Sequence, residues 1–357
     1  MRRVLHIIDG FVSRDAAWHL ELLFAGGDAI VSVGPPPDWW PSALPARGEH
    51  VPFGIASLCG ARLGREAARA DVIHAWSLRA GQAAGEAARR AERPGVVSLS
   101  CVPSGEDLRR ALNAPAFSGL HLTAPTQAAR TALLRAGAFD DQVHVLYAPA
   151  RAPADAAARR QRVRAELGVS GSQWLLVSPT EMTRTAGHMY ASWAHAIVRH
   201  VRPGLRLLLP GGGAALRHVR YFAATTGFEE EVFIPGDRVG LDDALAAADI
   251  AAFFAERDNG TASLARALAT GTPVAACETP DARELTDGGR AAVLVRPRVP
   301  RAHAAATLEL VEDAERRAAR AAAGRELADR RHTPTGCRDQ LEAIYEAAST
   351  ARARLNA

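Results

Sequence analysis

The chain contains no lysine, so all of its permanently charged basic side chains are arginines. That absence excludes any mechanism that needs a lysine, whether as nucleophile, Schiff base or phosphate ligand. Part of it reflects base composition, since alanine, arginine and glycine are abundant. Cysteine is scarce as well. Cys59, Cys101, Cys277 and Cys337 lie far apart with no CxxC or CxxH spacing, so neither a zinc site nor a disulfide framework is signalled, and buried free thiols are expected. No apolar run reaches the roughly 18 to 20 residues of a membrane span, because charges such as Asp9 and Arg14 interrupt each candidate. The opening MRRVLHIIDG also lacks the apolar centre and small-residue cleavage site of a signal peptide, and reads as a basic pair followed by a buried strand. A cytoplasmic protein is expected, with at most peripheral contact at the inner membrane face.

What is present fits a globular protein: 357 residues, 48% hydrophobic and 23% charged, more than one ordinary core needs. The formal charge of +4 is small and spread out, which argues against nucleic acid as a partner. Short apolar runs at VLHII, AIVSVG, DVIHAW, GVVSLS and HLTAP alternate with helical segments such as REAARA and QAAGEAARRAE. A second series follows with WLLVSP, LRLLLPG, EVFIPG, IAAFFA, PVAAC and AVLVRP. Alternation of this kind predicts two doubly wound parallel sheets. The stretch APARAPADAAARR between them has turn formers and few large apolar groups, and reads as a linker. At the far end Leu341, Ile344, Tyr345 and Ala348 mark the apolar stripe of a terminal helix. The predicted domains are therefore 1–150, 151–335 and a terminal helix over 336–357 that returns to the first domain.

The segment from Leu241 to Val295, LDDALAAADIAAFFAERDNGTASLARALATGTPVAACETPDARELTDGGRAAVLV, carries the most information. Gly271 follows ALAT where a left-handed cap suits glycine, and Pro273 stops the helix before the next strand. Gly260 is thereby placed at the start of that helix. Backbone amides there can hold a phosphate or a sugar hydroxyl; alternatively Asp258, Asn259 or Thr261 merely caps the helix. In order and spacing the segment resembles the donor-binding block of family 4 glycosyltransferases. DVIHAWSLRAG, the run from Pro125 to Pro149, RAELGVSGSQWLLVSP, LRLLLPGGG and the terminal IY extend the likeness over most of the chain.

The resemblance implies an α/β protein of GT-B type, two Rossmann-like domains facing a cleft with the last helix packed back on the first. It implies transfer of a sugar from a nucleotide-sugar donor with retention, without metal or other cofactor. The acceptor, a saccharide, lipid or small molecule, would sit on the amino-terminal domain. Asp258 occupies the position of the family's first donor-loop glutamate and is the catalytic candidate. Gly260 and Thr261 belong to the same loop. Arg266 stands where a second glutamate ordinarily meets the ribose, and a guanidinium cannot accept those hydroxyl protons; it either faces a phosphate or is a solvated helix residue. Aligned on Gly187, Glu181 and Ala186 replace the arginine and lysine of the usual diphosphate clamp, which leaves Arg184, and alternatively His188, as the nearby basic groups. Glu284 matches a donor-side glutamate, and Gly211 and Gly212 border the nucleotide pocket. On the acceptor side, Gly10 survives from a glycine pair, followed by Arg14 and by His19 and Glu21 opening a helix. Ser100 or Cys101 replaces a histidine, His74 reads as structural, and Trp39 and Trp40 either stack on a ligand or pack under their loop. Because Glu181, Ala186, Arg266 and the lost glycine each touch a different part of the chemistry, the alternative is an inactive GT-B scaffold that binds or partners.

Overall fold

A computed structural model of the chain describes residues 2–49, 61–103, 105–257 and 259–356. The chain divides into two compact units, one of residues 1–148 with 334–357 and one of residues 149–333. In the first unit the order is β1 (Val4–Asp9), α1 (Arg14–Leu23), β2 (Ala29–Val33), β3 (Ala46–Glu49), α2 (Ala61–Arg69), β4 (Val72–Ala75) and α3 (Leu78–Ala91). It continues through β5 (Gly95–Ser98), α4 (Glu106–Leu112), β6 (His121–Ala124), α5 (Gln127–Arg135) and β7 (Val143–Val145). The strands form one parallel sheet ordered β3-β2-β1-β4-β5-β6-β7. Strand β1, VLHIID, is buried throughout, as a parallel strand between two helical layers must be. The run-based reading found the five central strands and missed β3 and β7. Both are short edge strands, ARGE and VHV, with too few apolar residues to announce themselves.

The second unit opens with α6 (Ala156–Glu166), β8 (Trp174–Val177), α7 (His188–Val198), β9 (Leu205–Pro210), α8 (Leu216–Thr226), β10 (Val232–Gly236) and α9 (Leu241–Ala247). It closes with β11 (Ile250–Phe253), α10 (Thr261–Thr270), β12 (Val274–Cys277), α11 (Pro280–Leu285), β13 (Ala292–Val295), α12 (Pro300–Glu312) and α13 (Ala314–Arg331). Its sheet is also parallel, ordered β10-β9-β8-β11-β12-β13. The second half of the predicted linker is helical. In α6, Val163 packs into the core beside α9, and the buried Arg164 donates to Asp249 and to the carbonyls of Ser170 and Gln173, so an arginine-rich segment docks through ion pairs beside a narrow apolar contact.

The terminal helix, α14 (Pro334–Asn356), belongs to the first unit. Cys337, Leu341, Ile344, Tyr345 and Ala348 recur at helical spacing and pack with Ile8, Leu20 and Val72 on the face of the sheet that α1 covers. No helix among the described residues is long and apolar enough to cross a membrane. The thiols depart from expectation in one place: Cys277 and Cys337 are buried but Cys101 is exposed, while Cys59 lies outside the described residues.

Candidate functional site

In the second unit the chain leaves β8 for β9 and β10 on one side and returns to β11 on the other. The crevice beyond the carboxyl ends of β8 and β11 is the switch point at which open α/β sheets bind ligands. Three loops meet there, and glycines permit the meeting. A Cβ on Gly187 would stand 2.2 Å from the Phe254 backbone, one on Gly213 2.5 Å from the Met182 carbonyl oxygen, and one on Gly260 2.5 Å from the Thr180 methyl. All three have positive φ. Glu256 N–H donates to the Thr185 carbonyl at 3.0 Å and ties the first loop to the third.

Two helices begin in this crevice. α7 starts on Gly187 in the left-handed conformation, with no side-chain cap, so its first turn presents amide donors and the positive end of its dipole. α10 starts on Gly260, again left-handed, and that residue supplies no side-chain cap of its own. Neither Asn259 nor Thr261 is its cap residue, and Asp258 lies outside the described residues. Arg184 is exposed in the first loop and makes no ion pair among the described residues. His188 is the first residue of α7 and is 1% exposed. Burial pushes its imidazole down to about 4, against an upward pull from the backbones of Thr180 and Ser178, so it is neutral near pH 7.

The corresponding edge of the first unit is closed by side chains. Asp9 accepts from Phe11 N–H and from Ser77 Oγ at 2.6 Å. Ser13 and Ser100 share a hydrogen bond of 2.8 Å, and the Arg79 guanidinium lies over the exposed Phe11 ring. Behind them His74 is buried between Tyr345 Oη at 2.8 Å and Ser98 Oγ at 2.7 Å, and Trp76 donates to His6 Nδ1. Burial holds the His74 imidazole well below its ordinary range.

Residues 177–313 match the family model described as glycosyl transferases group 1. No curated protein sequence matches the chain. Among solved structures it is similar to HepE from Anabaena in complex with UDP and glucose, at 19% identity and a TM-score of 0.83 over 97% of this chain and 100% of that one. It is similar also to a glycosyltransferase from Rickettsia africae, at 14% identity and a TM-score of 0.76 over 97% and 98% of the two chains. Sucrose-phosphate synthase from Thermosynechococcus elongatus gives 15% identity and a TM-score of 0.71, again over 97% and 98%. The chain has the GT-B fold.

Within this GT-B chain the residues singled out in the sequence separate. Gly260, Thr261 and Arg184 meet at the switch point, and Glu284 lies on α11 beyond β12, its carbonyl accepting from Arg331. The glycine turn divides by position. Gly211 is used to bridge to Gly236 in β10, and a Cβ on Gly212 would meet open space; Gly213 is the position that close packing reserves for glycine. Arg266 is neither a solvated helix residue nor a phosphate ligand on display. It is 4% exposed and its Nη1 donates to Asp242 on α9 at 2.9 Å.

On the other unit of the GT-B chain, Gly10 faces the Pro35 carbonyl, and Arg14 lies over the Trp39 ring. His19 does not open a helix: α1 starts at Arg14 with Ser13 as cap, and His19 is buried edge-on to Trp76. Trp39 and Trp40 pack on the core under their loop, with Trp40 Nε1 donating to the Leu44 carbonyl. Sequence reasoning missed Glu256, two residues before Asp258. Desolvation raises its carboxyl, but hydrogen bonds from Arg298 and Tyr190 outweigh that and leave it below the usual carboxylate range. Arg298 lies 42 residues away, and nothing in local spacing announces the pair.

Proposed function

We propose that this chain is a glycosyltransferase that takes a nucleotide-sugar as donor and holds its diphosphate in the second unit. The uncapped start of α7, with Arg184 in the loop before it and Gly213 opposite, is the observation that carries this reading. A diphosphate at that position accepts from backbone amides and gains from the helix dipole, so the missing arginine and lysine clamp is replaced mainly by backbone. Neutral His188 adds no charge and can serve as a hydrogen-bond partner. Glu256, already bound by Arg298 and Tyr190, stays ionised without facing the phosphates alone. Asp258, Gly260 and Thr261 contact the donor sugar, and Glu284 lies on the donor side. Gly10, Arg14 and His19 belong to the acceptor side of the first unit.

Family 4 chemistry, with retention and with the donor as substrate in place of any resident cofactor, is the accompanying reading. The HepE structure holds UDP and glucose, so uridine donors are the first to try. Thermal unfolding with a panel of nucleotides and nucleotide sugars tests binding; a ligand at 100 times its Kd stabilises by about 2.7 kcal/mol. Release of nucleoside diphosphate from the stabilising donor tests turnover, and Asp258→Ala abolishes it while leaving the melt unchanged. Absence of stabilisation by every nucleotide sugar contradicts the donor site. Stabilisation without turnover, with any acceptor extract, makes the chain a binding scaffold.

A further inference from the structure

The stretch from Met182 to Phe228 contains six arginines and four histidines and no aspartate or glutamate, in a chain with 39 acidic residues. It forms α7, β9 and α8, with both helices on one face of the second sheet. An unbroken run without acids on adjacent helices is not explained by the nucleotide site, which uses only the beginning of α7.

The outer surface of the same two helices is apolar and exposed. Trp193 is 44% exposed, Ile197 37% and Val201 60%, one stripe running along α7 and past its end. On α8 Tyr221 is 72% exposed, and the Trp193 and Phe222 rings meet at 4.8 Å, joining the two stripes. Arg217, one turn before Tyr221 on α8, and Arg220, next to it, are exposed and make no ion pair among the described residues. The other arginines at this face are compensated: Arg199 by Glu231 and Arg202 by Glu312. Glu229 and Glu230 lie beyond the carboxyl end of α8, at one border of the patch.

We infer that this face of the second unit docks the protein on an anionic lipid surface. Exposed tryptophan and tyrosine beside aliphatic residues sit favourably at a bilayer interface, and arginines with no acidic neighbours gain from anionic headgroups. Nucleic acid would use the arginines but leave Ile197 and Val201 without a role.

Sedimentation of the full chain with vesicles tests this, using phosphatidylcholine alone and phosphatidylcholine mixed with phosphatidylglycerol. Binding is expected to the mixed vesicles and to weaken with salt. Arg217→Gln and Arg220→Gln each reduce it about fivefold. Tyr221→Ser reduces it without touching the core, and Trp193→Ser by about tenfold. Each variant keeps the nucleotide response of the parent, which separates this surface from the donor site. Equal binding by the variants, or no binding to mixed vesicles, overturns the inference. So does a dimer in sedimentation equilibrium that Tyr221→Ser dissolves, or binding to duplex DNA that competes with the vesicles.

Discussion

At the carboxyl edge of their parallel sheets the two units start most of their helices in different ways. In the first, α1, α3 and α5 begin on Ser13, Ser77 and Thr126, each of whose hydroxyls accepts an amide of its own helix. In the second, α7, α8, α9 and α10 begin on Gly187, Ala215, Gly240 and Gly260, none of which supplies a side-chain cap. Exceptions at that edge are α4 on uncapped Gly105 in the first unit and α11 on Thr279, whose hydroxyl accepts from Ala282 N–H, in the second. A capped helix is finished within the protein. One that begins on glycine gives up only roughly a few tenths of a kcal/mol of capping and leaves its dipole to another partner, which is how a backbone becomes a binding surface. The first unit instead fills its edge with hydroxyl, carboxylate and ring contacts and buries a polar ladder from His6 to Tyr345 behind them.

Acid gives the largest expected effect. In the second unit His188, His195 and His303 are each pushed to about 4, by burial first of all. Because these folded-state values lie below the ordinary 6.5, the unfolded chain takes up more protons. Stability is therefore full above about pH 6.5 and is lost as pH falls toward 4, by about 1.4 kcal/mol per histidine per pH unit. Urea midpoints across this window measure it, and His303→Gln flattens the slope.

Next in size is Gly187→Ala. Its Cβ meets the Phe254 backbone at a positive φ, so unfolding free energy falls by about 3 kcal/mol in urea melts. Arg266→Glu sets a buried carboxylate against Asp242 and costs about as much. In the first unit Tyr345→Phe removes the hydroxyl that His74 Nδ1 meets and costs about 1 to 2 kcal/mol, read by the same melts. Gly212→Ala is the smallest: with open space around its Cβ, the change stays within about 0.5 kcal/mol.

Much of the architecture was legible because it rests on local periodicity. The buried strands announced themselves as apolar runs, α14 by its stripe, and Gly271 by its place between ALAT and proline; its φ of +70° closes α10 as expected. The site was less legible, because its decisive features are relations between distant segments. That Gly213 and not Gly212 is irreplaceable depends on the Met182 carbonyl, and the burial of Arg266 depends on Asp242. The position of Arg266 in a helix between charged loops reads as solvated until α9 is packed against it. His19 was misread for a similar reason: Ser13 lies far enough upstream to start α1 before it.

Amide hydrogen exchange, with and without a saturating uridine diphosphate, tests the central claim most directly. A diphosphate held by the start of α7 slows exchange at His188, Met189 and Tyr190 and in the 211–213 turn, and leaves the capped helices of the first unit unchanged. Protection that appears only in the first unit, or nowhere, would contradict it.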